Sequence, residues 1–220
     1  MKSIREVVAL ARSEGAEWDY DQGYDGKTLS EVSVAGHIIE YMLNTINDKK
    51  DAHKAIGIFV SNVARRSLPC WFLYCNDTRP LHFANRLIEV WAGDAESGFV
   101  ELEWCEPIVP MENGKPIGDC REEDTSAAAE AVAQAARFTR SLDYDSAVLA
   151  VTCACNAFCV SPLPSLQYEE RDAELEILTW MMDILIPKAM LGEDLTNEER
   201  DALALYEIPA VMRQNTPFKR

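Results

Sequence analysis

Carboxylates are the side chains in this sequence best placed to do chemistry. Twelve acids fall between residues 165 and 207 against only Arg171, Lys188 and Arg200, so this segment carries −9 of a formal net charge of −16. Spacings of three, four and seven put Glu169, Asp172, Glu176 and Asp183 on one face of a predicted helix. Such a stripe is either a solvated helix face or a surface that steers a cationic partner. Its carboxylates could also pair for acid–base catalysis, although the sequence places no cleft around them.

A second acidic group, Asp19, Asp21 and Asp25, lies in a loop rich in Asp and Gly. With Asp21 as position 1 of a calcium loop, Asp25 falls at position 5 and Gly26 at position 6. Position 3 is then Gly23 and position 12 is Val32, with Glu31 one place early, so the bidentate carboxylate is out of register. We expect an ordinary loop and no metal, with the three aspartates available to a partner. The histidines His37, His53 and His82 fall on three different predicted elements without an HExxH or HxH arrangement. Seven cysteines form no pair of CxxC knuckles, and Cys153, Cys155 and Cys159 sit in an alanine-rich run where a reduced thiol packs as a small apolar group. No phosphate-binding glycine loop or nucleophile elbow occurs, and no cofactor is expected.

The elements that must position these groups are helical. Apolar positions recur at helical spacing over residues 3–14, from Ser30 to about Asn47, and from Asp51, a candidate N-cap, to Pro69. Leu68–Asn76 could form a separate helical turn. Pro80 suits the first turn of the next helix, which carries Leu81, Ala84, Leu87, Ile88 and Trp91 inward and ends at Gly93. Ahead of it, Asp77 or Thr78 is placed to cap and Arg79 to pair with a nearby acid or to bind an anion. Residues 98–121 break the rhythm and read as a long connection, with Glu112 to Lys115 suited to the turn of one small β-hairpin. Ala128, Ala131, Ala135 and Phe138, then Ala147, Ala150, Ala154 and Ala157, form two small-residue stripes joined by a short turn, which predicts a tight antiparallel hairpin. Beyond Pro162 and Pro164 a helix is expected from about Leu166 to Ile186, with Leu175, Leu178, Met182 and Leu185 inward and Pro187 as its stop. Thr196 to Glu199 is a capping box for a last helix through Leu203 and Tyr206, and residues 209–220 are expected to fray. The expected fold is all-α, one helical domain over residues 1–220, built as an antiparallel bundle or array around the alanine-rich hairpin.

The charge excludes a general nucleic-acid binder, which needs clustered Lys and Arg, and an anionic membrane surface for the same reason. No run of 18 apolar residues exists, and the first residues carry Glu6 and Glu14 inside their apolar pattern, unlike a signal peptide. A cytoplasmic protein is expected.

Asp77, Thr78, Arg79 and Pro80, followed by Ala84 and by Trp91, Ala92, Gly93 and Asp94, together with the alanine-rich hairpin, resemble the helical immunity proteins of bacterial polymorphic-toxin systems (the immunity-protein-5-like family) over about residues 60–185. That resemblance implies a non-catalytic protein that binds and neutralises a cognate toxin. The matched residues look architectural, so the expected contacts come from the acids instead: Glu169, Asp172, Glu176 and Asp183, then Asp19, Asp21 and Asp25, facing a basic toxin domain. Two other readings stay open. One is a helical enzyme with a metal or carboxylate site drawn from His37, His53, His82 and the acids, and the other is a generic helical adaptor.

Overall fold

A computed structural model describes residues 2–16, 33–72, 77–93, 111–112, 115–116, 122–160 and 170–200, with side chains in the last two stretches from Ala127 to Phe158 and from Leu175 onward. The loop holding Asp19, Asp21 and Asp25, most of the 98–121 connection, the prolines at 162 and 164, Glu169, and everything after Arg200 lie outside these residues.

The described chain is all-α and is organised around one central helix. Helix α1 (Ile4–Ser13) opens with a capping box: the Ser3 hydroxyl accepts from the Glu6 backbone N–H, and the Ser3 backbone N–H donates to the Glu6 carboxylate at 2.7 Å. Helix α2 (Val34–Thr45) is capped by the hydroxyl of Ser33. Helix α3 (Lys49–Phe72) is the axis: 18 of its 24 residues are buried, which leaves it no solvent-facing side along most of its length. Helix α4 (Arg79–Ala92) ends as expected, with Gly93 left-handed at φ 86°. Met111–Glu112 (β1) pairs antiparallel with Lys115–Pro116 (β2).

Helices α5 (Glu122–Ser141) and α6 (Tyr144–Val160) form the predicted hairpin. All eight of the stripe residues are fully buried. Leu142 in the turn adopts φ 56°, a left-handed conformation that costs a non-glycine residue roughly 1–2 kcal/mol. Asp143 then caps α6, accepting from the Ser146 hydroxyl at 2.9 Å.

Two contacts fix how α6 runs beside α3. His53 meets Tyr144 near one end, and the Arg66 guanidinium lies 5.8 Å from the ring centre of Phe158 near the other, so the helices are parallel. Against α4 the order reverses: Gly57 faces Trp91 and Arg65 bonds Asn85, an antiparallel pair. Gly57 is needed there, since the indole of Trp91 occupies the notch a Cβ would fill. That indole donates to Thr139 Oγ1 at 2.9 Å and stacks on Phe138, tying α4 to α5.

Two proline stops do not hold. Helix α3 continues through Pro69 to Phe72, because Leu68, Cys70 and Trp71 are buried and the lost N–H falls in the final turn. The Trp71 indole further donates to the Asp77 carbonyl at 2.7 Å. The last long helix runs from α7 (Glu170–Trp180) through a π turn (Met181–Leu185) into α8 (Ile186–Met190), past Pro187. A proline ring clashes with the carbonyl four residues back, here Asp183, and the wider π turn lies at that place. The inward face is accordingly different from the predicted one. Leu178 and Leu185 are buried, but Ile177, Trp180 and Met181 join them and Leu175 is 57% exposed. The third helix also starts earlier than expected: Asp48, not Asp51, caps it, its carboxylate accepting from the backbone N–H of Lys50 and Asp51.

Candidate partner-binding surface

The predicted acidic stripe runs along α7 and the π turn. The Asp172 side chain lies outside the described set with Glu169, Glu176 is half-buried, and Asp183 is exposed but held by an ion pair to Arg5 of α1. A π turn accommodates an extra residue, so positions beyond it are rotated relative to those before it. Asp183 sits inside that turn, which removes the simple seven-residue alignment with Glu176.

Beyond α8 the chain makes a tight corner. The Gly192 N–H donates to the Ala189 carbonyl at 2.9 Å and the Glu193 N–H to the Lys188 carbonyl at 3.0 Å, with Gly192 at φ 72°. This is a Schellman stop, and it satisfies the carbonyls that the end of α8 would leave bare. Leu191 at the corner is 74% exposed. The predicted capping box then forms: the Glu199 N–H donates to Thr196 Oγ1 at 3.2 Å and the Thr196 N–H to the Glu199 carboxylate at 2.8 Å, opening α9 (Asn197–Arg200).

The strap from Leu191 to Arg200 is fastened on two sides. Along its own rod, the Trp180 indole donates to the Glu199 carbonyl at 2.9 Å, and the Lys188 ammonium bonds the Glu199 carboxylate at 2.7 Å. The Lys188 bond, with the Thr196 N–H, holds the Glu199 carboxyl below the usual range. Across the molecule, Asn62 of α3 donates to Asp194 Oδ1 at 3.2 Å and accepts from Arg200 Nε at 3.0 Å, while Arg200 pairs with Asp194. Each of the three side chains touches the other two.

These contacts redistribute the acids. Lys188 and Arg200, two of the three cations of the 165–207 segment, are committed to Glu199 and Asp194. Glu193 and Glu198, which the stripe omitted, are exposed. No local signal marks this division, because Arg5 lies 178 residues from Asp183 and Asn62 lies 138 from Arg200.

The remaining candidates resolve into architecture. His53 Nε2 lies 2.7 Å from the Tyr144 hydroxyl, and burial, aided by Lys49, holds its pKa below the ordinary value. His37 and His82 are half-buried on α2 and α4. Among the described residues no three His, Cys, Asp or Glu side chains group as metal ligands. Arg79 pairs with Asp77, as one of its two expected roles. Burial raises the Asp77 carboxyl, and its bonds from the Arg79 side chain and backbone N–H more than offset this, leaving it lowered. Cys70 and Cys155 are buried, and burial with nearby Glu130 pushes the Cys153 thiol up to about 12. Among the described residues no helix is long and apolar enough to cross a membrane.

Comparison of the chain with family models, with curated proteins and with solved structures finds no match in any of the three.

Proposed function

We propose that the protein is a cytoplasmic, non-catalytic binding protein that engages a basic protein partner, in the manner of the immunity proteins it resembles, and works by covering the partner's active surface. The observation that carries the reading is the commitment of Lys188 and Arg200 to Glu199 and Asp194 in a segment of net charge −9, while Glu193 and Glu198 face outward. Each of these cations neutralises one carboxylate and leaves Glu193 and Glu198 without a cation beside them in the strap, and the net negative charge of the segment speeds encounter with a cationic surface. The further contacts proposed for the partner are Glu176, Asp183, Glu169 and Asp172, with Asp19, Asp21 and Asp25.

The test is capture from a lysate of the native host at low salt, followed by a salt step and mass spectrometry of what elutes. A basic toxin domain is expected to be retained by the wild type and lost from the Glu193→Lys, Glu198→Lys double variant, which leaves every internal pair intact. Retention of the same proteins by both would remove the acidic end of the molecule from the interface.

A further inference from the structure

The Asn62, Asp194 and Arg200 ring joins two distant parts of the chain. In the strap from Leu191 to Arg200, Leu195 alone is buried, so the apolar hold on this segment is that of one leucine. Its other ties are polar, and they differ in reach. Trp180 and Lys188 belong to the rod from which the strap emerges, so their bonds to Glu199 are local. The ring is different: it joins the strap to α3 across 132 and 138 residues of sequence. Asn62 is 2% exposed and cannot follow the strap outward, since its amide also donates to the Ile58 carbonyl at 2.9 Å.

Segments with few buried apolar contacts open at a free energy below that of global unfolding. We propose that the ring is a latch: Leu191–Arg200 leaves and rejoins α3 as one unit, and Asn62, Asp194 and Arg200 set how often it does so. The Asp194 and Arg200 side chains are 24% and 15% exposed, so salt reaches the pair and weakens it. The closed latch also fixes where Glu193 and Glu198 point, a consequence that rests on the proposed binding surface.

Hydrogen exchange of the full chain, read by mass spectrometry without any partner, tests the latch at about 0.05 M and 0.5 M salt. In the wild type the amides of residues 191–200 are expected to exchange at least about tenfold faster than those of α5 and α6, and faster still at high salt. Asn62→Ala and Arg200→Gln should each raise strap exchange by about tenfold while α5 and α6 stay unchanged. The double variant should add little to the worse single one, because the ring is broken once. Arg200→Gln alters only the strap and reports even where Asn62→Ala fails to fold. Strap amides that exchange at the rate of α5 and α6 in the wild type, or that ignore Arg200→Gln, would overturn the proposal. No partner enters the assay, so failure of the lysate capture and failure of the latch are separate results.

Discussion

Replacing Gly57 by alanine sets two effects of opposite sign against each other. In a helix interior alanine is favoured over glycine by about 0.8–1.0 kcal/mol, so propensity alone predicts a more stable protein. A methyl at Gly57, however, would sit inside the Trp91 indole, 2.6 Å from its Nε1 and closer to the ring-fusion carbons. The ring must leave. Its bond to Thr139 is then lost, worth about 0.5–1.5 kcal/mol, and so is the stack on Phe138 at 5.9 Å, worth about 0.5–1.5 kcal/mol. Strain in the surrounding α3, α4 and α5 side chains adds to this, as overpacking of a filled core does. The expected net loss is about 1–3 kcal/mol, or roughly 0.5–1 M in the urea midpoint. Equilibrium unfolding followed by far-ultraviolet circular dichroism measures it. The decisive comparison is the same substitution in a Trp91→Ala background, where the notch is empty. There Gly57→Ala should stabilise by about 1 kcal/mol, reversing its sign. Stabilisation in both backgrounds would refute the claim that the indole occupies the glycine notch.

Three further outcomes follow from local geometry. Leu142→Gly should raise stability by about 0.5–1 kcal/mol, since it removes a left-handed leucine at an exposed turn, and thermal unfolding would show an unchanged midpoint if the turn carries no strain. His53 titrates below its ordinary value in the folded state, so the unfolded chain takes up its proton first. Stability is therefore undiminished above the unfolded value of 6.5 and falls as pH drops through the folded one, and His53→Gln should flatten that part of the urea-midpoint profile between about pH 7.5 and 5. Cys153 should resist iodoacetamide at pH 8 in the native protein and react on unfolding, because burial with nearby Glu130 pushes its thiol up to about 12; peptide mapping showing native modification would refute that shift.

Several parts of this fold are visible in local sequence, and they share a cause. The alanine stripes, the Gly93 stop, the first turn at Pro80 and the box from Thr196 to Glu199 are satisfied by residues within four or five positions of one another. Pro69 and Pro187 mislead for the converse reason. Their local signal is a stop, but tertiary burial of Leu68, Cys70 and Trp71, and a π turn at Met181–Leu185, override it. The binding surface is least legible. Whether an acid faces a partner or an internal cation depends on Arg5 and Asn62, far away in sequence, and Asp183 and Asp194 cannot be told from Glu193 and Glu198 by spacing. The acids at 19, 21 and 25 fall outside the described residues.

The central position of α3 has a consequence for synthesis on the ribosome. This helix is made early, yet α5 and α6, which cover much of it, are completed only at Val160. At about 5–20 residues per second, translation takes roughly 5–20 s to pass from Phe72 to that point. Throughout that interval the nascent chain carries a helix that α5 and α6 do not yet cover. Ser61, Asn62, Arg65, Arg66 and Ser67, buried at the end of the process, are then in water, where a uniformly apolar helix of this length would invite aggregation or a membrane-targeting factor. Their polarity in the finished core, costly there, gives α3 solubility while it waits.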